Sequence, residues 1–196
     1  MREFILRTSK GSTDYKFDID NLPKSGRMDI VCRCVINALF VAESIRRDTV
    51  IHAVLTGPPK PSKIVSFYGN RIEDLYPYER NIAKLIKIGL WEGRNLKENE
   101  SLEYKPGIVI SKKKFETLVK EKIDNQLFYL HKDGIPVKDF KFEENFVAIL
   151  SDYKKLPSQV ESFLKELKIE KVSLGKIEYF SSQVINILHF LLDGGL

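Results

Sequence analysis

Asn145-Phe-Val-Ala-Ile-Leu-Ser-Asp152 and, one helix-like segment later, Lys171-Val-Ser-Leu-Gly-Lys176 decide how this chain folds. The first is an apolar run that breaks off at Ser151-Asp152, as a strand buried on both faces reads when it delivers polar groups to its carboxyl end. The second predicts a short strand, Glu170 to Leu174, that ends in Gly175 and passes straight into a helix. In open α/β sheets ligands bind beyond the carboxyl ends of the strands, so the two turns mark a candidate pocket. Neither turn has the Gly-x-Gly-x-x-Gly spacing of a dinucleotide fold or the Gly-Lys-Ser/Thr of a P-loop.

Working outward, the pattern alternates strands and helices. Residues 2 to 7 predict a strand, residues 8 to 27 a polar loop too long to be an idle connection, and Met28 to Ile45 a largely buried helix. Thr49 to Leu55 and Ile64 to Tyr68 read as strands around the stiff Gly57-Pro-Pro-Lys-Pro61 loop, and Glu79 to Leu90 as an amphipathic helix. Residues 91 to 107 read as loop, with Ser111 capping a helix from Lys112 to Ile123. Gln126 to His131 is a strand, Lys132-Asp133-Gly134 a tight turn, and Pro157 opens a helix. In the last helix Phe180, Val184, Ile187, Leu188 and Leu191 form one apolar face, and Ile177, Ile185 and Leu192 a second. Two apolar faces call for the protein's own core on one side and a second subunit on the other. The expected architecture is one α/β domain over residues 1–196 with a largely parallel sheet flanked by helices.

Composition narrows the function classes. No apolar run is long enough to span a bilayer, and charges at Arg2 and Glu3 stand where a signal peptide needs an apolar core. Cys32 and Cys34 can neither bridge easily nor complete a zinc site, so a reducing, cytoplasmic setting and no metal are expected. A net charge of +5 leans mildly towards a polyanionic partner, although Lys and Glu enrichment also accompanies growth at high temperature. His52, His131 and His189 are isolated, and no nucleophile elbow is present. What remains is Lys24-Ser-Gly-Arg-Met-Asp29, where an arginine and a carboxylate meet a glycine-containing helix start. Such a start favours anions. Simple capping by Ser25 or Asp29 is the stronger reading on these residues alone.

The opening Met-Arg-Glu-Phe-Ile, Gly26-Arg-Met-Asp-Ile-Val-Cys-Arg-Cys-Val35, Ile45-Arg-Arg-Asp48, Glu79-Arg-Asn-Ile-Ala83, Tyr129-Leu-His-Lys-Asp-Gly134 and the Val172-Ser-Leu-Gly…Asp193 ending run in collinear order. Together they resemble the archaeal tRNA pseudouridine-54 N1-methyltransferases of the SPOUT (α/β-knot) superfamily. The resemblance implies a deep C-terminal trefoil knot spanning roughly residues 126–196, S-adenosylmethionine (SAM) as cofactor, tRNA as substrate and a homodimer packed on the knot helices. Carried over by position, cofactor contacts fall at Leu130, Ser151, Leu174, Gly175, Lys176, Ile177, Glu178, Tyr179 and Val184. Relatives read Leu-Gly-Asp-His at Leu150–Tyr153 and Ala-Ser-His-Cys at Ser181–Val184, so any role of that cysteine sulfur is lost here. Arg27 and Asp29 resemble an Arg-Pro-Asp element that lies against the target base in related ribosomal-RNA enzymes.

Catalysis would then rest on Asp29 as proton acceptor or orienter and on Arg27 as a stabiliser of developing charge. Arg33, Arg46, Arg47 and Lys60 are the expected phosphate contacts. Another RNA base or ribose as acceptor, or a non-catalytic RNA-binding dimer of this fold, are the competing readings.

Overall fold

The structure, a computed structural model, describes residues 1–42 and 44–195. Its elements are β1 (Arg2–Arg7), α1 (Met28–Leu39), β2 (Phe40–Val41), β3 (Ser44–Ile45), β4 (Thr49–Leu55), β5 (Lys63–Tyr68), α2 (Glu79–Glu92), β6 (Ser101–Lys105), β7 (Ile108–Ser111), α3 (Phe115–Glu121), β8 (Gln126–Pro136), β9 (Phe146–Ser151), α4 (Ser158–Glu166), β10 (Glu170–Ser173) and α5 (Ser181–Leu192). The main sheet has the order β10-β8-β9-β1-β4-β5-β7-β6. From β10 to β4 all neighbours are parallel, and β5, β7 and β6 continue antiparallel.

Period-2 geometry explains why β9 reads as a continuous apolar run. Phe146, Ala148 and Leu150 join the core on the face covered by α1, α2 and α5, while Val147 and Ile149 join that under α3 and α4. The same split places Phe4 and Leu6 of β1 on one face and Ile5 on the other. A strand between two helical layers has no solvent side on which to be polar.

Five features differ from the sequence reading. The helix expected to reach Ile45 stops at Leu39, where Phe40 turns extended and Arg46 donates its N–H to the Leu39 carbonyl at 2.7 Å. That bond closes a two-strand ribbon of β2 and β3, which reverses the chain into β4. The expected loop 91–107 contains the edge strand β6, and Ser111 ends β7 instead of capping a helix; α3 starts at Phe115. Residues 132–134 do not turn between two strands. Tyr129 pairs with Lys171 and Ile135 with Val172, so residues 130–134 bulge out of β8 while its neighbour advances by one. Finally, α5 begins at Ser181, leaving Ile177 in a loop and 67% exposed.

Candidate active site

The bulge at 130–134, the end of β9 and the loop after β10 surround a cavity of about 300 Å³ at the carboxyl ends of the parallel strands. That volume lies at the lower end of the range for small-molecule sites. Of the expected cofactor residues, Leu130, Ser151, Leu174, Gly175, Ile177, Glu178, Tyr179 and Val184 all line it; Lys176 shares the loop but not the lining. Tyr153, Phe180 and Ser181 also line it, although the sequence reading did not place them among the cofactor contacts. The one local signal for them was their adjacency to Ser151-Asp152 and to Val184.

Local bonding holds the walls open. Gly175 has φ 102°, and a β-carbon there would project into empty space, so its backbone faces the cavity unshielded. The Ser173 hydroxyl donates to the Lys132 carbonyl at 3.0 Å and accepts the Gly175 N–H at 3.1 Å, tying the bulge to the loop. The Ser181 hydroxyl donates to the Ser151 carbonyl, and the Gln183 side chain accepts the Phe180 N–H at 3.0 Å. The start of α5 is thereby fixed against β9. The lining mixes apolar Leu130, Leu150, Leu174 and Val184 with the carboxylates of Asp152, Glu161 and Glu178 and the amines of Lys132, Lys154 and Lys155. An apolar slot with both charge signs at its edge suits a ligand that joins a flat heterocycle, a cationic centre and an amino-acid group. SAM is such a ligand.

The loop 8–27 crosses the same ends of the strands. Ser9 donates its backbone N–H and its hydroxyl to Asp152 at 2.6 and 2.8 Å, and Gly57 donates to the Gly11 carbonyl at 2.8 Å. Gly26 lies so close to the Lys10 carbonyl that a β-carbon would sit 2.0 Å from its oxygen. Arg27 follows with φ 62° and ψ 38°, a left-handed conformation that costs a non-glycine residue on the order of 1–2 kcal/mol. Strain of this kind is retained where its geometry is used. It throws the guanidinium back over Asp29 in a two-pronged pair, Nε to Oδ1 and Nη2 to Oδ2, both 3.0 Å.

Asp29 is 2% exposed. Burial alone would raise its carboxyl, but the hydrogen bonds and charge of Arg27, with Arg33 at 3.6 Å, hold it below the usual range. It is therefore ionised at neutral pH. The other side of the Arg27 guanidinium lies 5.2 Å from the ring centre of Tyr153, a wall of the cavity. The arginine–aspartate couple and the cavity are thus neighbours.

The four expected phosphate contacts separate into two groups. Lys60 is exposed beside the 8–27 loop, its N–H bonded to the Thr13 hydroxyl at 2.9 Å, and Arg33 pairs with Glu79 at 2.7 Å near Asp29. Arg46 and Arg47 lie at the opposite, amino-terminal ends of the strands. Arg46 pairs with Asp193 at 2.5 Å, and Arg47 donates to the Gly69 and Ile72 carbonyls. The structure does not bring these two to the cavity.

Among the described residues no group of three or more His, Cys, Asp and Glu side chains could hold a metal ion, and no helix is long and apolar enough to cross a membrane. Burial pushes the thiols of Cys32 and Cys34 upward, so neither is a ready nucleophile.

A family model for SAM-dependent RNA methyltransferases matches residues 1–195. The tRNA (pseudouridine(54)-N(1))-methyltransferase of Methanococcus maripaludis (strain C5) is 37% identical over 98% of this chain and 98% of its own. Those of Methanocaldococcus jannaschii and Thermococcus gammatolerans are 37% and 34% identical, each over 98% of this chain and 97% of their own. The chain belongs to this methyltransferase family. Its fold is also that of Archaeoglobus fulgidus Nep1, solved bound to S-adenosylhomocysteine, with a TM-score of 0.63 and 15% identity over 96% of this chain and 94% of that one.

Proposed function

We propose that this protein transfers a methyl group to N1 of pseudouridine 54 in the T-loop of tRNA. The observation that carries the reading is the Arg27–Asp29 couple standing one aromatic ring away from a cavity suited to SAM, in a chain whose relatives bear that activity. Leu130, Ser151, Leu174, Gly175, Ile177, Glu178, Tyr179 and Val184 hold the cofactor, largely through backbone groups, which accommodates Ser151 and Val184 in place of the residues usual in relatives. SAM, when bound, supplies an electrophilic methyl group.

Pseudouridine is joined to its sugar through carbon, so its N1 carries a proton that must leave for nitrogen to act as nucleophile. A carboxylate clamped by a guanidinium and held below its usual range is a poor proton acceptor. Asp29 therefore serves as orienter, fixing Arg27 at the cavity mouth, where the guanidinium stabilises charge that builds on the base carbonyl as the N1 proton passes to water. Positioning of this kind can contribute ~7–11 kcal/mol.

The reading extends to the assembly. The outer surface of the α5 region exposes Ile177 and Phe180 (67% each) and Phe190 (60%), which a second copy would cover in a homodimer. The parallel strands and the bulge at 130–134 are compatible with the trefoil knot of the superfamily, and the setting is the cytoplasm. The decisive experiment supplies labelled SAM and tRNA carrying either pseudouridine or uridine at position 54. Methylation of the first alone is expected; equal methylation of both would move the acceptor away from N1. Sedimentation at micromolar concentration should return twice the 22.7 kDa chain mass, and a monomer would sink the dimer.

A further inference from the structure

Tyr76 and Tyr78 flank Pro77 just before α2 and are 50% and 56% exposed, although Leu75 beside them is buried. Their rings lie 5.9 Å apart at 18°, an offset stack on the surface. The turn that presents them is held by Asn81, whose side chain accepts the Tyr76 N–H at 3.1 Å while its own N–H donates to the Tyr78 carbonyl at 2.9 Å; Tyr78 N–H donates to the Tyr76 carbonyl at 2.9 Å. Two half-exposed aromatic rings in a braced turn contribute little to the core, so burial does not explain their arrangement.

Their position does. Glu79, the residue after Tyr78, accepts from Arg33 at 2.7 Å, and Arg33 stands 3.6 Å from Asp29. The neighbouring Arg80 pairs with Asp20 of the 8–27 loop. The tyrosine pair is thus joined to the Arg27–Asp29 couple through a short chain of ion pairs. Trp91, an exposed large aromatic near the far end of α2, is already engaged, with the Arg94 guanidinium 3.8 Å above its ring and Tyr15 packed edge-on at 4.8 Å.

We propose that Tyr76 and Tyr78 form a stacking platform for an unpaired nucleobase of the RNA substrate next to the target nucleotide. The inference rests on the RNA-methyltransferase reading and adds to it where the substrate chain is held. An enzyme that acts on one base must take it out of its stack, which leaves a neighbour without one of its stacking partners. Aromatic side chains accept such bases whatever their identity. The two rings are too close for a base to enter between them, since insertion needs about twice the ~3.4 Å stacking rise. The base therefore stacks on an outer ring face. Because Arg33 and Arg80 are each paired with a carboxylate, the platform contributes stacking more than charge.

The test uses the full chain and tRNA bearing pseudouridine at position 54, with 2-aminopurine placed beside it in a second preparation. Tyr76→Ala/Tyr78→Ala should raise the tRNA Kd roughly ten- to a hundredfold, from the worth of one stacked base, and should abolish quenching of the 2-aminopurine on binding. SAM affinity by calorimetry should not move, and the melting temperature should fall by no more than a few degrees, because both side chains are half-exposed. Tyr76→Phe/Tyr78→Phe should bind tRNA within about twofold of the parent, as rings without hydroxyls still stack. Unchanged tRNA affinity in the alanine variant, or equal loss in the phenylalanine variant, would overturn the platform while leaving the RNA reading intact. A parent protein that binds no tRNA would overturn both.

Discussion

Each end of the parallel strands carries an arginine–aspartate constellation, and the two do opposite work. At the carboxyl ends, Arg27 sits in a strained backbone, pairs with a buried Asp29 and lies over the ring of Tyr153, a wall of the open cavity. At the amino ends, Arg2 and Arg46 converge on Asp193 just past α5, and Arg2 also reaches the Leu192 carbonyl and Asp48. Cations at a helix carboxyl end meet its partial negative charge, so the second cluster is a clamp on α5. His189 completes it. Arginine can only donate, so His189 Nδ1 accepts from Arg2 at 3.0 Å and Nε2 carries the hydrogen given to the Ala38 carbonyl at 3.1 Å. On the proposed reading, the same residue types serve catalysis at one end and fastening at the other, according to whether a cavity adjoins them.

The sharpest way to break this contrast is Asp29→Asn, which keeps the shape and removes the charge that orients Arg27. Turnover should fall by at least ~100-fold, in the range of a lost catalytic group, with SAM affinity by calorimetry unchanged. Full activity would remove the couple from the mechanism. Next in size is Gly175→Val. A β-branched residue at φ 102° is strained by about 1–3 kcal/mol and adds bulk to the cavity lining. SAM binding should weaken by roughly tenfold or more, about what 1.4 kcal/mol or above represents, while tRNA binding without cofactor holds. Equal SAM affinity would show that the loop after β10 is not the cofactor wall.

How much of this could be read from the chain depends on how local the cause was. The apolar run through β9 was legible because burial on both faces leaves its mark in consecutive residues. β6 was not, because Ser-Leu-Glu-Tyr-Lys at a sheet edge shows the charges that keep edges from pairing further, with Pro106-Gly107 as the sole sign of a hairpin. The end of α1 was hidden for another reason: the bond from Arg46 to Leu39 that stops it belongs to a tertiary reversal, not to a breaker residue. At the site, the residues that resemblance assigned to the cofactor, Leu130, Ser151 and the 174–179 loop apart from Lys176, line one cavity. Arg46 and Arg47 looked like Arg33 in sequence. Only the return of α5, which brings Asp193 within reach, shows that Arg46 is already occupied.

The clamp itself makes a pH prediction. Burial first, then the charges of Arg46 and Arg2, lower the His189 pKa from 6.5 to about 4. A folded-state pKa below the unfolded value means stability that is complete above pH 6.5 and lost as pH falls towards 4. Hydrogen bonding from Arg46 above all lowers Asp193 to about 2, so its contribution persists above 3.8 and fades only below that. Between pH 7 and 5 His189 should account for a loss on the order of 2 kcal/mol in urea unfolding, and His189→Gln should lose less over that interval. Identical pH slopes would mean that His189 is not held neutral. Arg46→Ala should lower the melting temperature by several degrees with turnover near that of the parent; lost turnover with unchanged melting would erase the distinction between the two ends.

The smallest expected effect belongs to Lys60, on the cavity's side of the molecule but outside its lining. Its amine has no carboxylate within pairing distance among the described residues, and its backbone N–H is fixed to Thr13, so the side chain projects from an anchored loop. One phosphate contact gives a modest gain that salt removes, because its benefit is the release of condensed counterions. Lys60→Ala should weaken tRNA binding by a few-fold at low salt and reduce the slope of log K against log salt by about one. Arg47→Ala, at the other end of the strands, should leave that slope alone because its donors are spent on the Gly69 and Ile72 carbonyls. If instead Arg47 carried the salt dependence and Lys60 none, the RNA path would run along the amino ends of the strands.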